Sequence, residues 1–306
     1  MIFSIDRLQF VNGKLICYEF FDYQKEADNK DYIAKKIKIM ESENFCDGFY
    51  LIQYKQINGL YNDIYIGKIS EKNSKTWEDF KNWFNLMNKS NKQNINQSKG
   101  LGTATANIGD PYVQTFLKEI YRNDHEYSKI DFSLDDSGIA ITQSALEKNN
   151  TYGFDFDLFE SNSRVVIEFL KRDNNYVTNL TAHPSRYIKN HQKFASLWLA
   201  SGRVGLDSPK LYLVNYSEDE NEAISLIKII DFNIECGRIE SDTGYKLNNR
   251  EELLEWLKLL NKDFNESENF LSKKPMEIRD HSFWKNVYIS NDPKNWNKSK
   301  IGKNYI

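Results

Sequence analysis

The sequence predicts an α/β (α+β) protein in which a central mixed sheet is flanked by helices. Short runs of alternating or β-branched apolar residues recur along the chain, and stretches whose apolar residues have helical spacing lie between them. Of the 306 residues, 40% are hydrophobic and 14% are aromatic, which suffices for one large domain or two of ordinary size. We therefore expect a folded chain with a substantial apolar core.

Residues 1–87 are expected to form a smaller N-terminal α+β module for recognition or dimerisation. A hairpin is predicted over residues 1–23, because Asn12-Gly13 between two apolar runs is a strong hairpin signal. Aromatic side chains at helical spacing, among them Trp77 and Phe84, predict a helix after this hairpin. In chain order, we expect two strands and that helix over residues 48–56, 63–69 and 76–87.

Residues 88–108 are polar and rich in Gly, Ser and Asn, which predicts a linker or a mobile loop before a second domain over residues 109–306. The first helix of that domain is expected to begin at Asp110-Pro111, and Asn249 is expected to cap a later helix over residues 251–260. The other predicted elements are strands over residues 130–134 and 138–142, a helix over residues 184–200 that ends at Ser201-Gly202, and strands over residues 211–216 and 223–235.

Residues 151–173 predict two strands joined by a polar turn. Residues 153–159 alternate between apolar and acidic side chains, and residues 164–170 are β-branched and apolar. If the hairpin closes symmetrically about Ser161-Asn162, Asp155 lies opposite Glu168 and Asp157 lies diagonal to it, with directly paired side chains about 5 Å apart. Three carboxylates would then share one face.

Like charges placed opposite each other destabilise a sheet, and a bound Mg²⁺ would neutralise them. The alternative is a solvated outer face on which acidic residues alternate by chance. Against that alternative, the strand that carries Glu168 is apolar on both faces, which is a costly place for a carboxylate without a role.

The acidic strand, the hairpin and the following strand with its acid and nearby Lys resemble the PD-(D/E)xK nuclease superfamily, which includes many restriction endonucleases. The matching residues are Asp157, with Asp155 as the competing choice, Glu168 and Lys171. The family pattern places its Lys where this chain has Leu170. Three explanations stay open: a β-bulge that re-aims Lys171, another cation such as Arg172, which has the right parity, or a weakened site.

The resemblance covers residues 109–200 and implies a restriction-endonuclease-like core. It implies one or two Mg²⁺ ions, with Mn²⁺ as a substitute, held by Asp157, Glu168, Asp155 and the Phe169 carbonyl. Lys171 or Arg172 would act in catalysis, and Glu119 would supply an additional acid, although a solvated Glu119 is an equal alternative. The residues expected to contact nucleic acid are Arg186, Lys189, Gln192 and Lys193; a merely solvated helix face is the alternative.

The implied function is that of a type II restriction enzyme that cuts double-stranded DNA, with a homodimer as the expected assembly. The alternative is a catalytically weak or inactive nuclease-fold protein that binds nucleic acid or a partner in a phage-defence complex. Cleavage of RNA also stays open, because a metal site contacts the phosphate and does not distinguish sugar or base.

The charge, the cysteine content and the lengths of the apolar stretches argue against several other classes of protein. The formal net charge of -3 means that DNA binding would depend on a local positive face. The three cysteines, Cys17, Cys46 and Cys236, lie far apart and predict buried thiols in a reducing compartment. No apolar stretch approaches the roughly 18 residues that span a bilayer, and no phosphate-binding glycine motif appears. We therefore expect a cytoplasmic bacterial protein without an organic cofactor or a membrane partner.

Overall fold

The structure is a computed structural model, and it describes residues 1–42, 45–67, 73–88, 111–134, 138–147, 151–172, 178–180, 182–184, 191–206, 208–234 and 237–276. The chain divides into two compact units. The N-terminal unit consists of Phe3–Phe159, and the C-terminal unit consists of Met1–Ile2 together with Glu160–Ile306. The predicted boundary at residues 88–108 lies outside the described residues except for Asn88, and it stays a prediction.

The N-terminal unit contains a mixed sheet with strand order β6-β1-β2-β3-β4-β5. Its strands are β1 (Ile2–Val11), β2 (Lys14–Asp22), β3 (Gly48–Ile57), β4 (Leu60–Gly67), β5 (Asn73–Lys75) and β6 (Phe154–Glu160). Its helices are α1 (Lys30–Met40), α2 (Trp77–Asn88), α3 (Pro111–Ile120) and α4 (Gly138–Leu146), with short 3-10 helices at Ala27–Asn29 and Phe132–Leu134. Strands β2 and β3 are parallel because α1 carries the chain between them.

The hairpin of β1 and β2 turns at Asn12-Gly13, as predicted. Both turn residues have positive φ, 53° at Asn12 and 76° at Gly13, which matches the backbone twist of a two-residue hairpin turn. Strand β1 is buried on both faces, and α2 places Phe80 and Phe84 in an aromatic core with Tyr18 and Phe20 of β2. This core holds α2 and α4 against the sheet of the unit.

The C-terminal unit contains a second set of strands in the order β7-β8-β9-β10-β11. These are β7 (Val165–Lys171), β8 (Leu211–Tyr216), β9 (Ile224–Asn233), β10 (Arg238–Leu247) and β11 (Pro275–Met276), and its helices are α5 (His191–Val204), α6 (Arg250–Lys262) and α7 (Phe264–Ser272). Strands β7 and β8 are parallel, and α5 lies against both of them. The unit therefore contains a β7-α5-β8 crossover, and the residues of β7 from Val165 to Phe169 are buried.

The predicted fold class, an α/β (α+β) protein with a mixed sheet and flanking helices, is confirmed. None of the helices in the described ranges is long and apolar enough to span a bilayer. The restriction-endonuclease-like core stays a prediction.

Two predicted strands are wrong. The region predicted as a strand over residues 130–134 ends in the 3-10 helix Phe132–Leu134, and that over residues 138–142 is the start of α4. The buried residues of α4 recur at Gly138, Ile141 and Ala145, which is helical spacing. The five-residue apolar run was too short to separate a strand from a buried helix.

Helix α5 differs from its prediction at its end, while its predicted start at residue 184 is followed by residues outside the described ranges and stays a prediction. Its described part begins at His191 and continues past the predicted stop at Ser201-Gly202 to Val204. The buried stripe Phe194, Leu197, Ser201 and Val204 continues across that dipeptide, so packing outweighs the helix-breaking tendency of Gly202.

We expect the cap of α6 to carry measurable stability. Asn249 has an extended backbone, and its side-chain oxygen accepts a hydrogen bond from Glu252 N at 3.1 Å. Asn249→Ala should lower the free energy of unfolding by about 1 kcal/mol, whereas Asn249→Ser should retain most of it. Urea denaturation of the three proteins measures this; equal stability of the Ala and Ser variants would contradict the cap.

Candidate functional site

Glu168 is a buried carboxylate in an otherwise apolar strand. Strand β7 contains Val165, Val166 and Ile167, all fully buried, and Glu168 is itself only 2% exposed. It pairs with Leu213 of β8 in a parallel register that is continuous from Val166 to Lys171. A carboxylate at such a position is expensive unless a cation and hydrogen bonds compensate its charge.

The cation comes from helix α5. Lys193 lies near the start of the described part of α5, and its Nζ forms an ion pair with Oε1 of Glu168. The Lys193 side chain is 27% exposed, so it contacts both the buried carboxylate and the solvent. The sequence predicted Lys193 as a contact to nucleic acid; the structure brings it to the predicted metal ligand Glu168.

Lys171 lies on the other face of the strand. The register of β7 against β8 shows no bulge, so alternation directs Lys171 away from the face of Glu168. Its Nζ lies 2.7 Å from Oε1 of Glu218, and both side chains are exposed. The β-bulge considered from the sequence is therefore absent from the described β7-β8 ladder, and the catalytic role of Lys171 stays a prediction.

Arg172 belongs to a partly buried polar network just beyond the end of β7. It forms an ion pair with Glu222, and its Nε donates to Asn179 Oδ1 at 3.1 Å. Burial raises the pKa of Glu222, but hydrogen bonds from Ser217, the Asn179 backbone and Arg172 outweigh it and lower the pKa overall. The network connects the end of β7 to the segment between β8 and β9, and the catalytic role of Arg172 stays a prediction.

In the N-terminal unit, Asp155 and Asp157 are half-buried residues of β6 that alternate with buried Phe154, Phe156 and Leu158. This alternation was predicted. Asp155 lines a cavity of about 180 Å³ whose other walls include Asp6, Arg7, Gln143 and Thr151. Two carboxylates and a guanidinium group therefore surround this cavity within one unit.

Arg7 is a buried residue that lines this cavity, and it was not among the candidate site residues predicted from the sequence. It is 5% exposed, and it donates to Thr151 Oγ1 and Gln9 Oε1 at 2.8 Å and to Asn88 Oδ1 at 2.9 Å. Burial lowers its pKa to about 10, against the negative charge of Asp155. The signal available was the charged pair Asp6-Arg7 inside a strand of mostly apolar residues.

The remaining predicted site residues have varied positions. Glu119 is half-buried on α3 with Nη1 of Arg122 3.6 Å from its Oε2. The Phe169 ring packs edge-on against Tyr216, with centroids 6.0 Å apart. Arg186, Lys189 and the side chain of Gln192 lie outside the described residues.

The predicted metal ligands offer the oxygen donors that Mg²⁺ requires. Asp155, Asp157 and Glu168 offer hard carboxylate oxygens, and Mg²⁺ is commonly held by one or two carboxylates together with waters and phosphate oxygens. Within the described part of the chain, no group of three or more His, Cys, Asp or Glu side chains is arranged to hold a metal. The residue types fit Mg²⁺. The predicted pairing of Asp155 with Glu168 joins residues of the two units and stays a prediction.

Comparisons of the chain with protein families, with curated proteins and with solved structures return no match.

The Glu168–Lys193 ion pair should show a large coupling energy. Lys193→Met leaves a buried carboxylate without this cation and should lower the free energy of unfolding by about 2 kcal/mol, below the usual cost for a fully buried pair because Lys193 is partly solvated. Adding Glu168→Gln should remove most of that loss, since a neutral amide no longer needs the cation.

A matched control is Lys228→Met, which breaks the partly exposed Lys228–Glu268 ion pair of the same unit. It should cost less than about 1 kcal/mol. Urea denaturation of the two single variants and the double variant measures the cycle. Additive effects of Lys193→Met and Glu168→Gln would contradict the coupling.

Proposed function

We propose that the chain is a Mg²⁺-dependent endonuclease that hydrolyses phosphodiester bonds in double-stranded DNA, in the manner of type II restriction enzymes. The observation that carries the proposal is the contact between the buried Glu168 and the partly exposed Lys193 in the β7-α5-β8 crossover. Because Lys193 is 27% exposed, a charged substrate can reach this acid–cation pair, which supports chemistry at the pair.

In this proposal, Asp157 and Glu168 bind the metal, supported by Asp155 and the Phe169 carbonyl. The chemistry that a bound Mg²⁺ would supply is activation of a water and stabilisation of negative charge on the phosphate. The apolar neighbours Val166 and Ile167 exclude water from one side of Glu168 and strengthen its electrostatic interactions. Glu119 is retained as a candidate additional acid.

In this proposal, Lys193 has the catalytic role that belongs to the lysine of the strand in the PD-(D/E)xK pattern. Its ammonium group offsets the charge of Glu168 and is placed to orient a water or to contact a phosphate oxygen. Lys171 and Arg172 were the sequence candidates for this part. Lys171 contacts Glu218 and Arg172 contacts Glu222, which leaves Lys193 as the described cation in contact with the buried acid.

The proposed contacts to DNA continue along the same segment. Arg186, Lys189 and Gln192 precede Lys193 in the chain, and basic and amide side chains commonly contact phosphate groups. The net charge of -3 requires such a local concentration of basic groups. A homodimer is proposed for cleavage of both strands by analogy alone.

A second candidate function is binding of nucleic acid without cleavage. Two observations favour it: the position of the family lysine is Leu170, and Lys171 forms its ion pair on the surface with Glu218. In that case Glu168 and Lys193 neutralise each other as a structural pair.

Cleavage assays separate the two candidates. Wild-type protein is incubated with plasmid and phage DNA in Mg²⁺, in Mn²⁺ and in EDTA. Fragments should form only with metal. Glu168→Gln should lower the rate at least about 100-fold, and Lys193→Met should lower it by about 10- to 100-fold.

Glu268→Gln and Lys228→Met are matched controls, because they remove charges of the same kinds from another ion pair of the C-terminal unit. Both should cleave like the wild type. Loss of cleavage in Lys171→Met with full activity in Lys193→Met would assign the cation to β7 instead. A salt-sensitive gel shift without cleavage in any metal would support the binding function and contradict the nuclease.

A further inference from the structure

Two of the three cysteines lie next to each other in the N-terminal unit. Cys17 is in β2, and Cys46 precedes β3, the parallel neighbour of β2. Asp47 N donates to Leu15 O at 2.8 Å, and Leu15 N donates to Asp47 Oδ2 at 2.7 Å. These two hydrogen bonds hold the residues just before β3, Cys46 among them, against the strand that contains Cys17.

The two side chains are free thiols within hydrogen-bonding contact of each other. The contact from Cys17 lowers the pKa of Cys46 despite partial burial, and the Gly48 backbone adds to this effect. Burial raises the pKa of Cys17 well above its ordinary value, helped by Cys46 and by the charges of Glu19 and Asp47. Within this pair, Cys46 is therefore the thiol that ionises first.

Access to the two thiols differs. Cys46 is half-buried and lines a cavity of about 530 Å³, whereas Cys17 is fully buried. Tyr50 and Trp83 form an aromatic wall of this cavity with ring centroids 5.2 Å apart, and Lys75 contributes a positive charge. A small reagent that enters the cavity meets Cys46 before it can meet Cys17.

We propose that Cys46 is an oxidation site for hydrogen peroxide and that Cys17 is the thiol that resolves the oxidised sulfur into a reversible Cys17–Cys46 disulfide. The proposal rests on the cavity, on the contact between the thiols and on their unequal exposure. It is independent of the proposed nuclease function, since all of its residues lie in the N-terminal unit and none belongs to the candidate metal site.

Hydrogen peroxide is the oxidant, and the reaction takes place in two steps. The Cys46 thiolate attacks one peroxide oxygen, the O–O bond breaks, and the released hydroxide takes the proton lost by Cys46 to form water; Cys46 becomes a sulfenic acid. The Cys17 sulfur then attacks the Cys46 sulfur, the S–O bond breaks, and the leaving hydroxide takes the Cys17 proton. Two thiols are oxidised and one peroxide is reduced to two waters.

The test uses the full chain. Reduced protein is treated with one equivalent of hydrogen peroxide, alkylated and digested, and the cysteine peptides are quantified by mass spectrometry. The expected result is equal loss of free Cys17 and Cys46, a linked peptide that contains both, retention of Cys236 as an alkylated thiol, and recovery of both thiols with dithiothreitol. The same reaction in concentrated urea should lose this selectivity, because the contact depends on the fold.

Single cysteine variants test which of the two thiols is oxidised first. Cys17→Ser should accumulate a Cys46 sulfenic acid that dimedone traps, and Cys46→Ser should leave Cys17 reduced because Cys17 is buried. Should Cys17→Ser fail to fold, the wild-type peptide map decides alone. Oxidation of Cys46 without a linked peptide, or oxidation of Cys236 ahead of Cys46, would overturn the proposal.

Discussion

The burial of the Glu168 carboxylate is the constraint on which the account of the C-terminal unit depends. Strand β7 is covered on both faces, so the charge of Glu168 needs a cation close by. Helix α5 supplies it through Lys193, because the crossover that makes β7 and β8 parallel also packs α5 against both strands. The crossover and the Glu168–Lys193 contact therefore use the same three elements.

The N-terminal unit contains a similar ion pair, in which both side chains are buried. Glu19 of β2 forms an ion pair with Lys36 of α1, and α1 connects the parallel strands β2 and β3. Lys36 is 0% exposed and Glu19 is 1% exposed, and the Lys36 ammonium lies over the ring of Phe3, 5.8 Å from its centroid. A sealed pair of this kind cannot meet a ligand, so its role is structural.

Exposure thus distinguishes the two pairs. Both join an acid of a buried strand to a lysine of the following helix, but only Lys193 of the two reaches solvent, at 27%. The comparison favours the C-terminal pair as the functional one. It also shows that an acid and a lysine at similar places in a crossover are insufficient to indicate a site, because the fold can bury both charges.

Local patterns in the sequence predicted much of the fold. Asn12-Gly13 and Asn249 act through neighbouring backbone groups, so short windows sufficed to place the first hairpin and the start of α6. Strand β10 was not predicted, because its residues are largely polar and gain their order from the ladder with β9. The short apolar run at the start of α4 also fits a strand, and its helical spacing appears only over all nine residues of the helix.

The site was harder to predict than the fold. The alternation of Asp155 and Asp157 and the unusual burial of Glu168 were visible in the sequence, because they follow from strand periodicity. The partner of Glu168 was not, since Lys193 lies on a different element and the contact depends on how α5 packs. The same limit applies to Arg7, whose environment combines residues from distant parts of the N-terminal unit.

Binding of Mn²⁺ tests the central claim most directly, because it needs no turnover. The wild-type chain is titrated with Mn²⁺ in the presence of a short DNA duplex, and the free ion is followed by electron paramagnetic resonance. The account predicts that the wild type and Glu268→Gln bind Mn²⁺ and that Asp157→Asn and Glu168→Gln each lose this binding. Equal binding by Glu168→Gln and the wild type would contradict a metal role for the buried acid.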